Sequence, residues 1–278
     1  YVGVYVNKED PTKVNSSYII ALAETFWSAE KAAKVIKVDW NKGPNANVSS
    51  ESIREYAISK IEDPDAGAAF VKEGNFDLSF KNAQIKHKAI YETAIGYHGM
   101  MEPMNCVAME KDGKWHLFTA NQWQLRMTNM VANALNVEAD NVIHHQQYAG
   151  CGFGRRLEPD AAIPAALAAQ FIKRPVKLIF TREDDLRFNF NRTLTYQVLE
   201  GGAEFGKIIS LKHDNCAGWS TFRQAPVFMA DSKDNKGKLD QFSTNGSDHW
   251  YDIPNHYVRS IRNEINDNSN PPGSVRSV

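Results

Sequence analysis

A glycine-rich loop set between a strand-like and a helical segment is the strongest constraint on how this chain can fold. Val142 to Gln147 reads as a strand, and Ala161 to Ile172 reads as a helix that stops before Pro175. Between them stands Gly150-Cys-Gly-Phe-Gly-Arg-Arg156. Glycine reaches backbone conformations closed to other residues, so such a junction lets main-chain amides approach the negative oxygens of a ligand. Arg155 and Arg156 add donors suited to phosphate. The spacing is not G-x-G-x-x-G, because the two arginines stand where a third glycine would fall. It is not a P-loop either, because no Gly-Lys-Ser/Thr follows. A tight turn with solvated arginines is the competing reading, and the spacing alone leaves both open.

The pattern around the loop is that of a mixed α and β chain. Residues 18–24 and 35–40 read as strands flanking a helix with Ala29, Ala32, Ala33 and Ile36 on one face. Ser49-Ser50-Glu51 opens another helix, with Ile53, Tyr56, Ala57 and Ile61 as its apolar stripe. The pattern breaks at Asp63-Pro-Asp-Ala-Gly67, which suggests a soft domain boundary between about 63 and 80. Further strands are expected over 89–95, 105–110, 115–119 and 176–180, with a helix from Trp123 to Leu135. Residues 194–205 and 207–215 form a hairpin through Gly206, and 231–248 is a polar surface excursion.

Composition narrows the classes. The chain is 42% hydrophobic with a net charge of −1, so it folds rather than staying disordered, and it lacks the basic excess of a nucleic-acid binder. No run of about 18 apolar residues is present to span a membrane. The three cysteines, Cys106, Cys151 and Cys216, are too scattered for a zinc ribbon, an iron–sulfur cluster or a disulfide framework. The opening and closing residues both read as cuts through structure, so the chain is expected to be an internal piece of a longer protein.

Four other segments carry polar chemistry, each with a plainer alternative. His98-Gly-Met-Met-Glu-Pro-Met-Asn105 is either a pocket wall with one carboxylate, or a core strand end with gap-filling methionines and a salt-bridged Glu102. Asn121 and Gln122, where a strand gives way to a helix, either cap that helix or donate to a ligand. His144 and His145 face opposite sides of a strand and cannot easily share a metal. Thr181-Arg-Glu-Asp-Asp185 resembles a carboxylate cluster, but a charged turn after a buried strand is usually solvated.

In this order and spacing, the Lys37-Val-Asp-Trp40 unit, His98 to Cys106, Asn121-Gln122, Gly150 to Arg156, Thr181 to Asp185 and Tyr251-Asp-Ile-Pro-Asn255 resemble a known family. The chain is similar to the molybdenum-binding subunits of the isoquinoline 1-oxidoreductase type, within the xanthine oxidase and aldehyde oxidase group. The resemblance covers nearly the whole chain apart from 231–248. It implies an α+β fold of mixed sheets with packed helices. Residues 1–80 would be the later part of an α/β hammerhead domain, and 81–278 the first molybdopterin-binding domain.

The resemblance also implies a cofactor, a molybdenum pterin generally in its cytosine dinucleotide form, with [2Fe–2S] clusters on a small partner subunit. Relatives hydroxylate N-heteroaromatics or aldehydes with oxygen from water. By position, Gln122 and the loop residues Gly150, Cys151, Gly152, Phe153, Gly154 and Arg155 would contact the cofactor, as would Arg276. Met101 and Glu102 would line the substrate pocket. No protein residue would ligate the metal. The catalytic glutamate would lie beyond this chain, and Glu102 does not match it, so these residues alone are expected to be inactive. The family loop usually has glycine where Cys151 stands, and a positive φ there would strain a cysteine by about 1 kcal/mol. A phosphate- or nucleotide-binding module without redox chemistry, or an inactive family scaffold, are the alternatives.

Overall fold

The computed structural model describes residues 3–8 and 17–275, with side chains from Ser17 onward. The chain runs β1 (Gly3–Lys8), β2 (Ser17–Leu22), α1 (Phe26–Val35), α2 (Ser50–Glu62), β3 (Ala68–Glu73), α3 (Phe76–Asn82) and β4 (Ile85–Thr93). It continues through β5 (Asn105–Lys111), β6 (Lys114–Thr119), α4 (Gln124–Leu135), β7 (Val142–Gln146), α5 (Ala162–Ile172), β8 (Val176–Ile179) and α6 (Arg182–Arg187). Then come β9 (Thr195–Glu204), β10 (Lys207–Ala217), α7 (Ser220–Gln224), β11 (Ala230–Asp231), β12 (Lys238–Leu239), β13 (Asn255–Arg262) and α8 (Glu264–Ser269). The mixed α and β content agrees with the expected fold class.

These elements form two compact units, each built from two stretches of chain: residues up to Pro44 with His98–Asn189, and Asn45–Tyr97 with the residues from Phe190 on. The first unit holds a four-stranded sheet in the order β7-β6-β5-β8. β5 pairs antiparallel with β6 and β8, and β6 parallel with β7. Alternation sends Cys106, Ala108, Trp115, Leu117, Val142 and Val176 to one face, where they pack on Met127 and Val131 of α4 and Ala165 and Ala169 of α5. The α5 alanines let helix and sheet approach closely, and all five are fully buried or nearly so. Two apolar residues of β2, Ile20 and Leu22, join the same core.

The second unit is built on a five-stranded sheet in the order β3-β13-β10-β9-β4. Its β9–β10 pair is the hairpin expected through Gly206, which takes φ 77. Ser49 caps α2 in a reciprocal capping box with Ser52, and Ile53 and Ala57 form its buried face.

Several expectations need correction. Residues 36–40 form no strand, and Val38 and Trp40 are exposed: alternation without a neighbouring strand to pair with does not make one. Asp63 to Gly67 is not an open linker but a tight turn leading straight into β3, which pairs with β13. Gly67 sits at φ 75 with a Cβ there only 2.5 Å from the Ser260 carbonyl oxygen, so close packing explains it better than a linker does. The first strand of that region spans β4 and not 89–95. The polar stretch 231–248 is not wholly superficial: Leu239 and Asp240 are fully buried, and Asp240 accepts the Thr221 and Phe242 amides at 2.7 and 3.0 Å. Thr181 to Asp185 is not a solvated turn either. Thr181 caps the short helix α6, and Asp185 is fully buried.

Candidate functional site

The glycine loop joins β7 to α5, and its backbone is unusual. Cys151 and Phe153 both take φ 50 and Gly154 takes φ 95. The cysteine at the family's glycine position is therefore left-handed, the condition under which strain was expected. Non-glycine residues in this region persist only where the surroundings over-determine them. Those surroundings are the two arginines that follow.

Arg155 and Arg156 are buried, at 0% and 1% exposure, and they diverge. Arg155 donates to both Asp160 carboxylate oxygens, at 2.8 and 2.5 Å, and to the Phe188 carbonyl at 2.9 Å. Its Nε lies 3.7 Å from Asp185, which also pairs with Arg182. Burial works against the Arg155 charge, but Asp160, Asp185 and Glu158 outweigh it and hold the pKa above its usual value. Burial likewise pushes the Asp185 carboxyl up, opposed by Arg155 and Arg182.

Arg156 points the other way. It donates to the Ala120 and Glu102 carbonyls at 3.4 and 3.3 Å, and to the Glu102 carboxylate at 2.6 Å. Its own carbonyl accepts the Gln122 amide at 2.8 Å. One side chain thus ties the glycine loop to the 98–104 segment and to the start of α4. Neither guanidinium is solvated, and neither has its fork turned outward to a phosphate. They hold the loop, and the loop offers its main chain.

That main chain is well presented. Among the described residues, the Ala149, Gly150, Cys151 and Gly152 amides donate to no protein acceptor, and residues 149–151 are exposed. A Cβ at Gly150 would meet nothing within 4 Å. At Gly152 it would lie 3.3 Å from Gln122 Oε1 and 3.6 Å from the Arg156 methylenes. The Gln122 side chain is exposed and does not cap α4, whose first turn has no side-chain capping bond; Asn121 accepts the Trp123 amide at 2.7 Å. A free carboxamide beside bare amides fits a group rich in anionic and oxygen acceptors.

The 98–104 segment divides its residues between both readings. Met100 and Met104 are core residues, whereas Met101 is 80% exposed and the Glu102 side chain is largely exposed beside its ion pair. His98 is buried with its Nδ1 3.2 Å from Asn189. His144 and His145 are structural as expected, one bonded to the Thr119 carbonyl and the other to His116, both at 2.9 Å. No group of three or more metal-ligating side chains occurs among the described residues. Arg276 lies outside the described residues. Sequence reasoning missed Asp160, which stands just before α5, and set Asp185 aside as part of a solvated turn.

A family model described as the molybdopterin cofactor-binding domain matches residues 61–272. The chain belongs to that family. Family membership supports molybdenum cofactor binding, which the bare amides and Gln122 suit. The chain is 34% identical over 276 residues to the membrane-bound aldehyde dehydrogenase [pyrroloquinoline-quinone] of Gluconacetobacter polyoxogenes, covering 99% of this chain and 36% of that protein. It is 32% identical over 202 residues to the aldehyde oxidoreductase molybdenum-binding subunit PaoC of Escherichia coli K12, covering 72% and 27%. It is also 35% identical over 136 residues to isoquinoline 1-oxidoreductase subunit beta of Brevundimonas diminuta, covering 48% and 17%.

Among solved structures, quinoline 2-oxidoreductase of Pseudomonas putida 86 superimposes with a TM-score of 0.71 at 17% identity, over 94% of this chain and 33% of that one. The Desulfovibrio gigas aldehyde oxidoreductase follows this fold with a TM-score of 0.65 at 19% identity, over 91% and 27%. The chain spans about a third of the length of the first of these relatives. No described helix is long and apolar enough to cross a membrane.

Proposed function

We propose that this chain forms part of a molybdenum hydroxylase that oxidises aldehydes or N-heteroaromatic compounds with oxygen derived from water. The observation that carries the proposal is the row of bare amides at 149–152 beside the uncommitted Gln122 carboxamide. Bound there, the molybdenum pterin supplies the two-electron chemistry, and the protein supplies placement. The amides of Gly150, Cys151 and Gly152 bind the anionic oxygens of the cofactor. The Gln122 carboxamide would hold the cofactor from beside the loop, as a preorganised donor of the kind that counts most where charge develops. Phe153 closes the pocket from the loop side, and Gly154 allows the turn into Arg155, which anchors the loop from beneath. Met101 and Glu102 form a wall of the substrate pocket, apolar at one and acidic at the other. Arg276 is assigned to the cofactor by the family resemblance alone.

The same proposal includes the cytosine dinucleotide form of the cofactor, [2Fe–2S] clusters on a small partner subunit, and a catalytic glutamate outside this chain. It includes the family division into a hammerhead-like part, residues 1–80, and a first cofactor-binding domain, residues 81–278, although the compact units are cut elsewhere. The test is to co-express the full-length protein with its small subunit. Molybdenum, pterin, released nucleotide, quinone and iron are then measured, with turnover of isoquinoline and simple aldehydes. Molybdenum, pterin and turnover together support the reading. A quinone in place of the pterin would refute it.

A further inference from the structure

We propose that Asp185 is a positioning residue, which from full burial fixes the glycine loop against the Met101–Met104 wall and so sets the seat of the cofactor. The inference rests on the proposed function. Asp185 is at 0% exposure and lies on α6, so it touches neither solvent nor substrate. Its contacts reach both walls of the site. On the loop side, Oδ1 lies 3.7 Å from Arg155 Nε, at the residue directly after Gly154. Among the described residues Oδ1 accepts no hydrogen bond, so this tie is an ion pair alone, and on the wall side the link runs through Arg182. Arg182, whose Nη1 donates to Asp185 Oδ2 at 3.3 Å, uses Nη2 to hold the Met101 carbonyl at 2.9 Å.

The arrangement needs a carboxylate and not merely a polar side chain. Arg155 faces Oδ1 as an ion pair at 3.7 Å, and Arg182 donates to Oδ2 at 3.3 Å. An ionised aspartate is an acceptor at both oxygens, whereas asparagine would turn an NH2 group toward one of the guanidinium groups. Charge points the same way: two guanidinium groups, Arg155 and Arg182, face two carboxylates, Asp160 and Asp185. Removing one carboxylate leaves a buried cation under-compensated. The Arg156–Glu102 pair joins the same two walls from the other side, at 2.6 Å. Loop and wall are thus tied at two points, one exposed and one buried, and the buried point has no freedom to re-form through water.

Asp185→Asn in the full-length protein, co-expressed with its small subunit, tests this against Leu135→Ala, a core substitution on α4 in the same unit. Both variants should unfold at lower temperature. Only Asp185→Asn should also lose bound molybdenum and pterin, by about tenfold, as when outer residues that orient a metal site are removed. The visible circular dichroism of the cofactor that remains should be altered. Equal cofactor content in the two variants, whether high or low, would overturn the positioning role and leave Asp185 an ordinary core ion. Wild-type protein free of molybdenum would instead bring down the proposed function, and this inference with it.

Discussion

Gly152→Ala separates the two jobs that the glycine loop performs, folding and binding. Gly152 does not take a positive φ, so alanine is conformationally admissible there. Its Cβ would lie 3.6 Å from the Arg156 methylenes, an ordinary contact, and 3.3 Å from Gln122 Oε1. The second contact is tight, but Gln122 is exposed and can swing aside. Replacing glycine at a compatible position also stabilises by about 0.4–1 kcal/mol through the unfolded chain. The net change in folding stability should therefore stay within about 1 kcal/mol. The added methyl points at Gln122, into the space the cofactor would use. Loss of one charge-assisted hydrogen bond costs about 1.5–3 kcal/mol, which at about 1.4 kcal/mol per factor of ten is roughly ten- to hundredfold in affinity. The assay pairs thermal unfolding with molybdenum and pterin content of the full-length variant. An unchanged melting temperature with depleted cofactor is the expected result. Full cofactor content would refute the close approach, and a collapse in stability would show that the contacts at Gly152 were misjudged.

Three further outcomes follow from the same geometry. Gln122→Ala should leave melting nearly unchanged, because its side chain is exposed and caps no helix, while turnover falls by the equivalent of about 2.7–4 kcal/mol; equal turnover in the variant would remove Gln122 from the site. Cys151→Gly should relieve a left-handed cysteine at φ 50 and stabilise the fold by up to about 1 kcal/mol with cofactor retained, whereas destabilisation in urea would mean that the cysteine side chain contributes contacts outweighing its strain. Burial pushes His213 down to about 4, with Asp214 opposing and His256 and His249 assisting. Its folded value is depressed, so its contribution is complete above about 6.5 and is lost as pH falls through about 4, on the order of 3 kcal/mol at most. His213→Gln should flatten that slope in urea titrations, and an unchanged slope would move the acid sensitivity elsewhere.

Local pattern carried much of this architecture. The stripe on α4, the alanine-rich α5, the β9–β10 hairpin and the junction holding the loop are all set by neighbours in sequence, and all were legible. The 36–40 segment was misread because alternation cannot reveal whether a partner strand exists. β3 and α3 were obscured by an Asp/Pro/Gly turn that looks like a linker until Gly67 is seen packed against β13. The twin arginines were the hardest to read. Solvated or phosphate-binding arginines look the same in sequence, and only the fold brings Glu102, Asp160 and Asp185 to them. The left-handed backbone at Cys151, by contrast, was foreseeable through the family resemblance, which puts a glycine at that position.

The measurement that bears most directly on the account is cofactor analysis of the full-length protein, purified with the proposed small subunit. Molybdenum is measured by elemental analysis and pterin by fluorescence after oxidation, in wild type and in Gly152→Val. Stoichiometric molybdenum and pterin in the wild type, lost in a variant that still folds, is the result expected if the loop is the cofactor seat. Wild-type protein without molybdenum, or a folded Gly152→Val variant as fully loaded as the wild type, would contradict it.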